Sequence, residues 1–270
     1  LGLGITTIII WRLQSGYSQL TRQAFQWVVL ASIIPALLAV IILALGAKDI
    51  PVSNSSREGN QGSGLIHWRQ IERSIYQFLV VMVLFTLGNS ADAVINLRGQ
   101  ERGLSVIRVM CKLLTFTAVY SQLSSPAGAL SDRIGRRKVF LAGWAVYATV
   151  YLGLALAQQG WQVWALFGFY GMYYALTEGT AKALVADLVP DYQRGSAYGL
   201  FNATIGLAAL PASLLAGFLW QGLGAWEGLG AWAPFAFGFA MACLAAILFW
   251  FWIKIPEDTT GNPASGKDYS

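Results

Sequence analysis

The side chains best placed to do chemistry are a few charged and polar groups inside long apolar stretches. One stretch carries Tyr173, Tyr174, Glu178 and Lys182. Glu178 precedes Lys182 by four residues, the order that favours an ion pair within one helix. In a second interpretation these four residues line a substrate or ion pathway. Glu178 then carries a proton, because burial favours the neutral form of a carboxyl group. Both interpretations stay open.

A second polar set lies in an earlier apolar stretch. Asn89, Asp92, Asn96 and Gln100 follow one another at steps of three or four. In one continuous helix they would share a face. Placing a carboxylate inside a membrane costs free energy unless it has a partner or water. We therefore predict that Asn89, Asp92 and Asn96 line a water-filled cavity. The alternative is that they only form hydrogen bonds that hold helices together.

A basic segment, Pro126–Lys138, lies between two apolar stretches. It contains four cations and one carboxylate, and predicts a tight turn at a membrane face. Asp187 ends a later stretch level with Arg133 and Arg136, which predicts an ion pair between helices. Asp132 is expected to latch onto the N-terminus of the helix that follows Pro190, where free amides attract an anion. The predicted gate consists of Gly128, Asp132, Arg133, Gly135, Arg136 and Asp187.

Composition excludes most soluble classes of protein. Apolar residues make up 56% of the chain and charged residues 11%, whereas soluble domains carry about a quarter charged residues. The net charge of +5 accompanies no basic face with interleaved aromatics, so nucleic acid is not an expected partner. His67 stands alone, and Cys111 and Cys243 lie in apolar runs. We therefore expect no metal site, no cofactor and no enzymatic activity.

The apolar segments predict an all-α polytopic membrane helix bundle. About 20 apolar residues are needed to cross a bilayer, and the run 1–11 is too short and begins without Met, so the chain is expected to open partway along a helix. A polar linker, 48–73, has the composition of a flexible segment. The seven complete predicted spans are Phe25–Gly46, Ile75–Asn96, Leu104–Gln122, Val139–Ala157, Trp161–Leu184, Ser196–Trp220 and Ala233–Ile253.

The distribution of Lys and Arg gives an orientation. Alternate loops place eleven cations on one side and four on the other, and an excess of Lys and Arg marks cytoplasmic loops. The C-terminus is therefore expected in the cytoplasm. Two further cations, Arg108 and Lys112, lie within a predicted span. Snorkelling to the interface is favoured for Arg108, whereas Lys112 is as well explained by a cavity as by lipid.

The quoted motifs resemble the major facilitator superfamily of secondary transporters. The resemblance rests on Phe85–Asp92, Gly128–Lys138, Glu178–Gly179, Asp187–Pro190 and Arg194–Gly195. It implies a bacterial permease of the inner membrane that moves small solutes by alternating access, with protons as one candidate driving ion.

The same resemblance implies a division of the chain. Residues 1–47 would end an N-terminal half, 48–73 would be a central cytoplasmic linker, 74–255 would form the C-terminal six-helix half, and 256–270 would be a cytoplasmic tail. The expected partners are the lipid bilayer, the solute and the upstream helices of the same transporter.

Two other functions fit a helical membrane protein. Seven spans are typical of a membrane receptor or sensor, although the basic loop and the internal carboxylates fit a gated path better. A membrane-embedded enzyme is disfavoured, because the sequence offers no Ser/His pair and no cluster of metal ligands.

Overall fold

The computed structural model describes residues 73–89, 92–104, 106–190 and 193–253, together with eight separate helical positions between 26 and 42. The described part is all-α, which confirms the predicted fold class; its strand-like pairing is limited to an isolated bridge in one loop. The partial first helix, most of the first complete span, the linker and the tail lie outside the described residues. The seven helices of the described ranges are α1 (Arg73–Gly88), α2 (Asp92–Glu101), α3 (Val106–Ile134), α4 (Arg136–Leu156), α5 (Gly160–Asp187), α6 (Arg194–Gln221) and α7 (Ala233–Trp252).

Three of these helices, α4, α6 and α7, are long and apolar enough to cross a membrane. The apolar part of α1, Ser74–Gly88, is shorter. α3 and α5 reach 29 and 28 residues but carry the charged and polar side chains discussed above.

The predicted span Ile75–Asn96 is wrong as a single helix, because α1 ends at Gly88 and α2 begins at Asp92. Gly88 lies against α7: a Cβ atom added there would lie 3.2 Å from the Cα atom of Gly238. The carbonyl oxygen of Gly88 accepts a hydrogen bond from Tyr147 Oη at 3.1 Å, outside the helix ladder. This close crossing and the tyrosine contact fix the end of α1.

The basic segment is also more helical than predicted. α3 continues through Pro126 to Ile134, well past the predicted span end at Gln122, and α4 starts at Arg136. The whole turn is made at Gly135, whose φ of 96° is readily adopted only by glycine. Hydropathy marks where the chain leaves an apolar environment, whereas the helix ends where the backbone must reverse.

α5 is the central helix of the described bundle. It packs most extensively against α3 and α4, while α7 packs on α4 and α1, and α6 packs on α1. Glycines allow the closest approaches: a Cβ atom at Gly143 of α4 would lie 2.4 Å from Thr177 Cγ2, and one at Gly171 of α5 would lie 2.7 Å from the carbonyl oxygen of Phe116. Small residues at such crossings let membrane helices gain packing contacts.

Candidate functional site

A cavity of about 510 Å³ lies among α1, α4, α5 and α6. Sites for small organic molecules typically measure about 300–1,000 Å³ and combine an apolar wall with a few polar groups. This cavity has that character. Its residues are Met82, Phe85, Thr86, Asn89, Phe140, Trp144, Tyr173, Tyr174, Thr177, Glu178, Ala181, Lys182, Phe201, Asn202, Ile205 and Ala209.

Five of the seven predicted pathway residues line this cavity. Tyr173, Tyr174, Glu178 and Lys182 reach it from α5, and Asn89 reaches it from the end of α1. Tyr174, Glu178 and Lys182 share one side of α5 because each lies four positions after the one before it. The structure therefore brings together side chains that the sequence separates into two segments.

Glu178 is held by two donors. Lys182 Nζ donates to Glu178 Oε1 at 3.2 Å, one turn along α5. Tyr120 Oη of α3 donates to Glu178 Oε2 at 2.5 Å. Both carboxylate oxygens are therefore engaged, and a contact across two helices accompanies the contact within one. The Glu178 and Lys182 side chains are 44% and 55% exposed in the described structure, so the expectation of a buried carboxyl group is wrong for this conformation.

Tyr120 is a site residue that the sequence did not reveal. It lies 58 positions before Glu178. The residues three or four positions away from Tyr120 are uncharged, so its sequence surroundings do not indicate a polar site. Its ring stacks near Phe116 with a centroid separation of 6.3 Å and meets Tyr174 edge-on at the same separation. The available signal was the four-residue step from Phe116 to Tyr120, which places both rings on one side of α3.

Asn89, which lines the cavity, joins three helices through its side chain. Its Oδ1 atom accepts hydrogen bonds from Tyr151 Oη at 3.2 Å and from Tyr170 Oη at 3.3 Å. Both tyrosine side chains are fully buried, and a buried hydroxyl group is costly unless it is paired. Asn89 thus ties the end of α1 to both α4 and α5.

An aromatic wall backs the cavity. Phe85 and Trp144 stack with centroids 4.7 Å apart, and Phe140 lies 4.7 Å from Trp144. Tyr173 lies 5.9 Å from Phe85. Such pairs contribute about 0.5–1.5 kcal/mol beyond the burial of their area. Rings that fix one another in this way form a rigid apolar surface beside the charged pair.

The other two predicted pathway residues are not on this cavity. Asn96 Oδ1 accepts a hydrogen bond from Lys112 Nζ at 2.6 Å, and the ammonium group lies 4.1 Å from the ring centroid of Phe167. The Lys112 side chain is fully buried between helices, so it does not face lipid. The Arg108 side chain is exposed. Asp92 starts α2, and its side chain lies outside the described residues. The expected shared face of Asn89 and Asn96 is wrong because the helix breaks between them.

Two of the predicted gate residues, Arg136 and Asp187, form an ion pair. Arg136 Nη1 donates to Asp187 Oδ1 and, at 3.1 Å, to the carbonyl oxygen of Ala183, so the start of α4 is bound to the end of α5. Arg137 donates to the carbonyl oxygen of Trp250 and lies 4.6 Å from its ring centroid. The first of these contacts is the predicted interhelical ion pair, formed by Arg136.

The remaining gate residues are more exposed. Gly128, Asp132 and Arg133 lie on the surface near the end of α3, and Gly135 makes the turn. No hydrogen bond joins Asp132 to the described part of α6, and Asp191, at the entry to that helix, lies outside the described residues. The latch between Asp132 and this helix therefore stays a prediction.

The site offers ionic, hydrogen-bonding and apolar contacts. Among the described residues, no group of three or more His, Cys, Asp or Glu side chains is placed to hold a metal ion. The chemistry that the geometry supports is reversible binding of an organic molecule, with one cation, one carboxylate and several hydroxyl and amide groups at hand.

The chain is similar to known membrane transporters. The sequence profile of the Major Facilitator Superfamily matches residues 92–269. The MFS-type transporter MJ1317 of Methanocaldococcus jannaschii is 29% identical over 257 residues, which is 93% of this chain and 60% of that protein. The chain thus spans less than two thirds of this relative.

Two further relatives match shorter parts. The class B tetracycline resistance protein of Escherichia coli is 25% identical over 154 residues, 56% of this chain and 36% of that protein. The lysosomal dipeptide transporter MFSD1 of Mus musculus is 28% identical over 106 residues, 39% of this chain and 23% of that protein.

Proposed function

Because this chain belongs to the major facilitator superfamily, we propose that it forms part of a secondary active transporter, which moves small solutes across a membrane by alternating access. The observation that carries the proposal is the cavity among α1, α4, α5 and α6, where the Glu178–Lys182 pair faces an aromatic wall. Transporters of this kind bind solutes near the bilayer midplane, between two helical halves that rock against each other.

In this proposal the chain supplies the C-terminal half of the path. Residues 74–255 form the six-helix half, 1–47 end the preceding half, 48–73 are the central cytoplasmic linker and 256–270 are the tail. Further helices of the same transporter close the other side of the cavity. The alignment of 93% of this chain with 60% of MJ1317 supports the broader point that the chain corresponds to part of a longer transporter.

The proposed orientation places the basic segment and the C-terminus in the cytoplasm, with the bacterial inner membrane as the site of action. It is supported by the eleven cations on one side against four on the other. Under this orientation, the Arg136–Asp187 pair lies at the cytoplasmic end of the cavity. We assign it to the inner gate, together with Asp132 and Gly135.

Proton coupling is assigned to Glu178. A coupling carboxylate must exchange partners as the transporter changes state. Glu178 is suited to this because its two partners lie on different helices. Tyr120 on α3 can separate from Glu178 when α3 moves relative to α5, while Lys182 stays one turn away on α5.

Flux measurements test the proposal. The full-length gene product is reconstituted in proteoliposomes, and uptake of a labelled dipeptide, tetracycline and 3-phenylpropionate is measured with and without an imposed pH gradient. The first two probes are the solutes named for two relatives. Saturable uptake of at least one probe, raised by the gradient, is expected. Uptake no faster than in protein-free liposomes for all three would reject the transporter proposal.

A further inference from the structure

The two members of the Glu178–Lys182 pair are engaged to different extents. Glu178 accepts hydrogen bonds from donors on two helices, Tyr120 at 2.5 Å and Lys182 at 3.2 Å, and these fill two of the about four acceptor positions of a carboxylate. An ammonium group has three N–H donors. Among the described residues, Glu178 is the one hydrogen-bond acceptor of Lys182 Nζ. The Lys182 side chain is 55% exposed and lines the cavity, so donors remain directed to an incoming ligand.

The surroundings of Lys182 add an apolar surface. Phe85, Trp144, Tyr173 and Phe201 line the same cavity, and the first two rings are stacked on each other. A ligand bound to the ammonium group would therefore place the rest of its body against carbon-rich walls. Water would be displaced from apolar surface, which favours binding by about 25 cal/mol per Å² buried.

Resting on the transporter function proposed above, we propose that this cavity takes small amphipathic carboxylates, with Lys182 as the specificity-determining residue. The ligand's carboxylate accepts hydrogen bonds from Lys182 Nζ, and its apolar body lies along the wall of Phe85 and Tyr173. Tyr120 is a positioning residue, because it continues to hold Glu178 while Lys182 turns to the ligand.

An amine ligand fits this arrangement less well. To reach Glu178, it would have to share the carboxylate with Lys182 and Tyr120, which already donate to it. It would also bring a second positive charge beside Lys182. A carboxylate ligand brings a negative charge near Glu178, but the two donors on Glu178 offset that charge, and the Glu178–Tyr120 hydrogen bond can persist while the ligand binds.

Ligand-induced thermal stabilisation of the full-length gene product in detergent tests the assignment without requiring transport. Four probes separate charge from shape: 3-phenylpropionate, 3-phenylpropanamide, 3-phenylpropylamine and propionate. The variants are Lys182→Gln, Lys182→Arg and the control Arg108→Gln, which removes an exposed cation of α3 outside the cavity. The melting temperature of each variant without ligand shows whether it is folded.

We expect 3-phenylpropionate to bind at least about 10-fold more tightly than the amide and the amine, the difference that one charge-assisted hydrogen bond supports. It should also bind more tightly than propionate, which lacks the apolar body. Lys182→Gln should lose the preference for the carboxylate over the amide and the amine, and Lys182→Arg and Arg108→Gln should keep it. Preference for the amine, a carboxylate preference that survives Lys182→Gln, or no stabilisation by any probe would overturn the assignment. Flux of other solutes with no carboxylate preference would overturn it while leaving the transporter proposal standing.

Discussion

Tyr120 on α3 donates a hydrogen bond to Glu178 on α5 across 2.5 Å, from a position 58 residues earlier in the chain. The contact joins two of the most extensively packed helices at the edge of the cavity. It leaves Lys182, the other partner of Glu178, one turn away on the same helix. The carboxylate is therefore held both along α5 and across to α3, so a relative movement of these helices changes its surroundings.

Removing the hydroxyl group of Tyr120 should strengthen the ion pair between Glu178 and Lys182. In Tyr120→Phe, Glu178 keeps only Lys182 as a described donor, so Lys182 is less free to bind a ligand. We expect binding of 3-phenylpropionate to weaken by about 3- to 10-fold, in line with the ordinary net contribution of one hydrogen bond, about 0.5–1.5 kcal/mol. Thermal-shift titration measures the change. Tyr76→Phe is the matched control, since Tyr76 lies on α1 outside the cavity; equal effects in both variants would contradict the role of Tyr120.

Replacing Glu178 should separate coupling from binding. Glu178→Gln keeps the side-chain size but cannot carry a proton in the working range, so uptake driven by a pH gradient should fall to the level seen without the gradient. Exchange of labelled for unlabelled solute should continue. Both rates are measured in the same proteoliposomes. If gradient-driven uptake persists in Glu178→Gln, the carboxylate is only half of a structural pair.

Loss of the interhelical ion pair should open the basic end of the cavity. A reporter cysteine replaces Asn202, which lines the cavity, after the native cysteines have been substituted. Asp187→Asn removes the charge that Arg136 binds, and labelling of the reporter by a membrane-impermeant thiol reagent should accelerate by up to about 5-fold, because an ion pair of this kind contributes up to about 1 kcal/mol. Lys138→Gln, which removes an exposed cation from the same end, is the control.

The predicted latch at Asp132 is tested with the same reporter. Asp132→Asn should also speed labelling if this carboxylate binds the entry to α6. Unchanged labelling in Asp132→Asn, beside faster labelling in Asp187→Asn, would assign gate closure to the Arg136–Asp187 pair alone.

The crossing of α1 and α7 should be intolerant of any side chain. A Cβ atom at Gly238 would lie 2.5 Å from the carbonyl oxygen of Gly88 and 2.5 Å from Tyr151 Cδ1. Gly238→Ala is therefore expected to destabilise the protein by about 1–3 kcal/mol, the usual cost of overpacking. Thermal unfolding in detergent measures this.

Gly199→Ala provides the comparison for that measurement. Gly199 lies within a helix and has no neighbouring atom within 4 Å of an added Cβ. Because alanine favours helix by about 1 kcal/mol over glycine, this variant should be neutral or slightly more stable. Equal losses of stability in Gly238→Ala and Gly199→Ala would contradict the role assigned to the crossing.

The sequence was most informative where a local pattern decides the structure. The four-residue step from Glu178 to Lys182 favoured an ion pair as one of two open interpretations, and the structure contains that pair. The long apolar runs predicted the helical class. The position of Asp187 at the end of α5 predicted an ion pair at the level of Arg133 and Arg136, and its partner in the structure is Arg136.

Other features depend on packing between distant segments. Nothing local distinguishes Tyr120 as the partner of Glu178, since that contact requires α3 and α5 to lie side by side. The end of α1 at Gly88 is set by contact with Gly238, and the burial of Lys112 is set by Asn96 and Phe167. Hydropathy reports the environment of a segment but not which helix it touches.

Access to the cavity from both sides of the membrane tests the central claim most directly. The Asn202→Cys reporter is labelled with a membrane-impermeant thiol reagent in right-side-out and inside-out vesicles. Alternating access predicts labelling in both orientations, with solute protecting the reporter in each. Labelling in neither orientation, or from one side only regardless of solute, would contradict it.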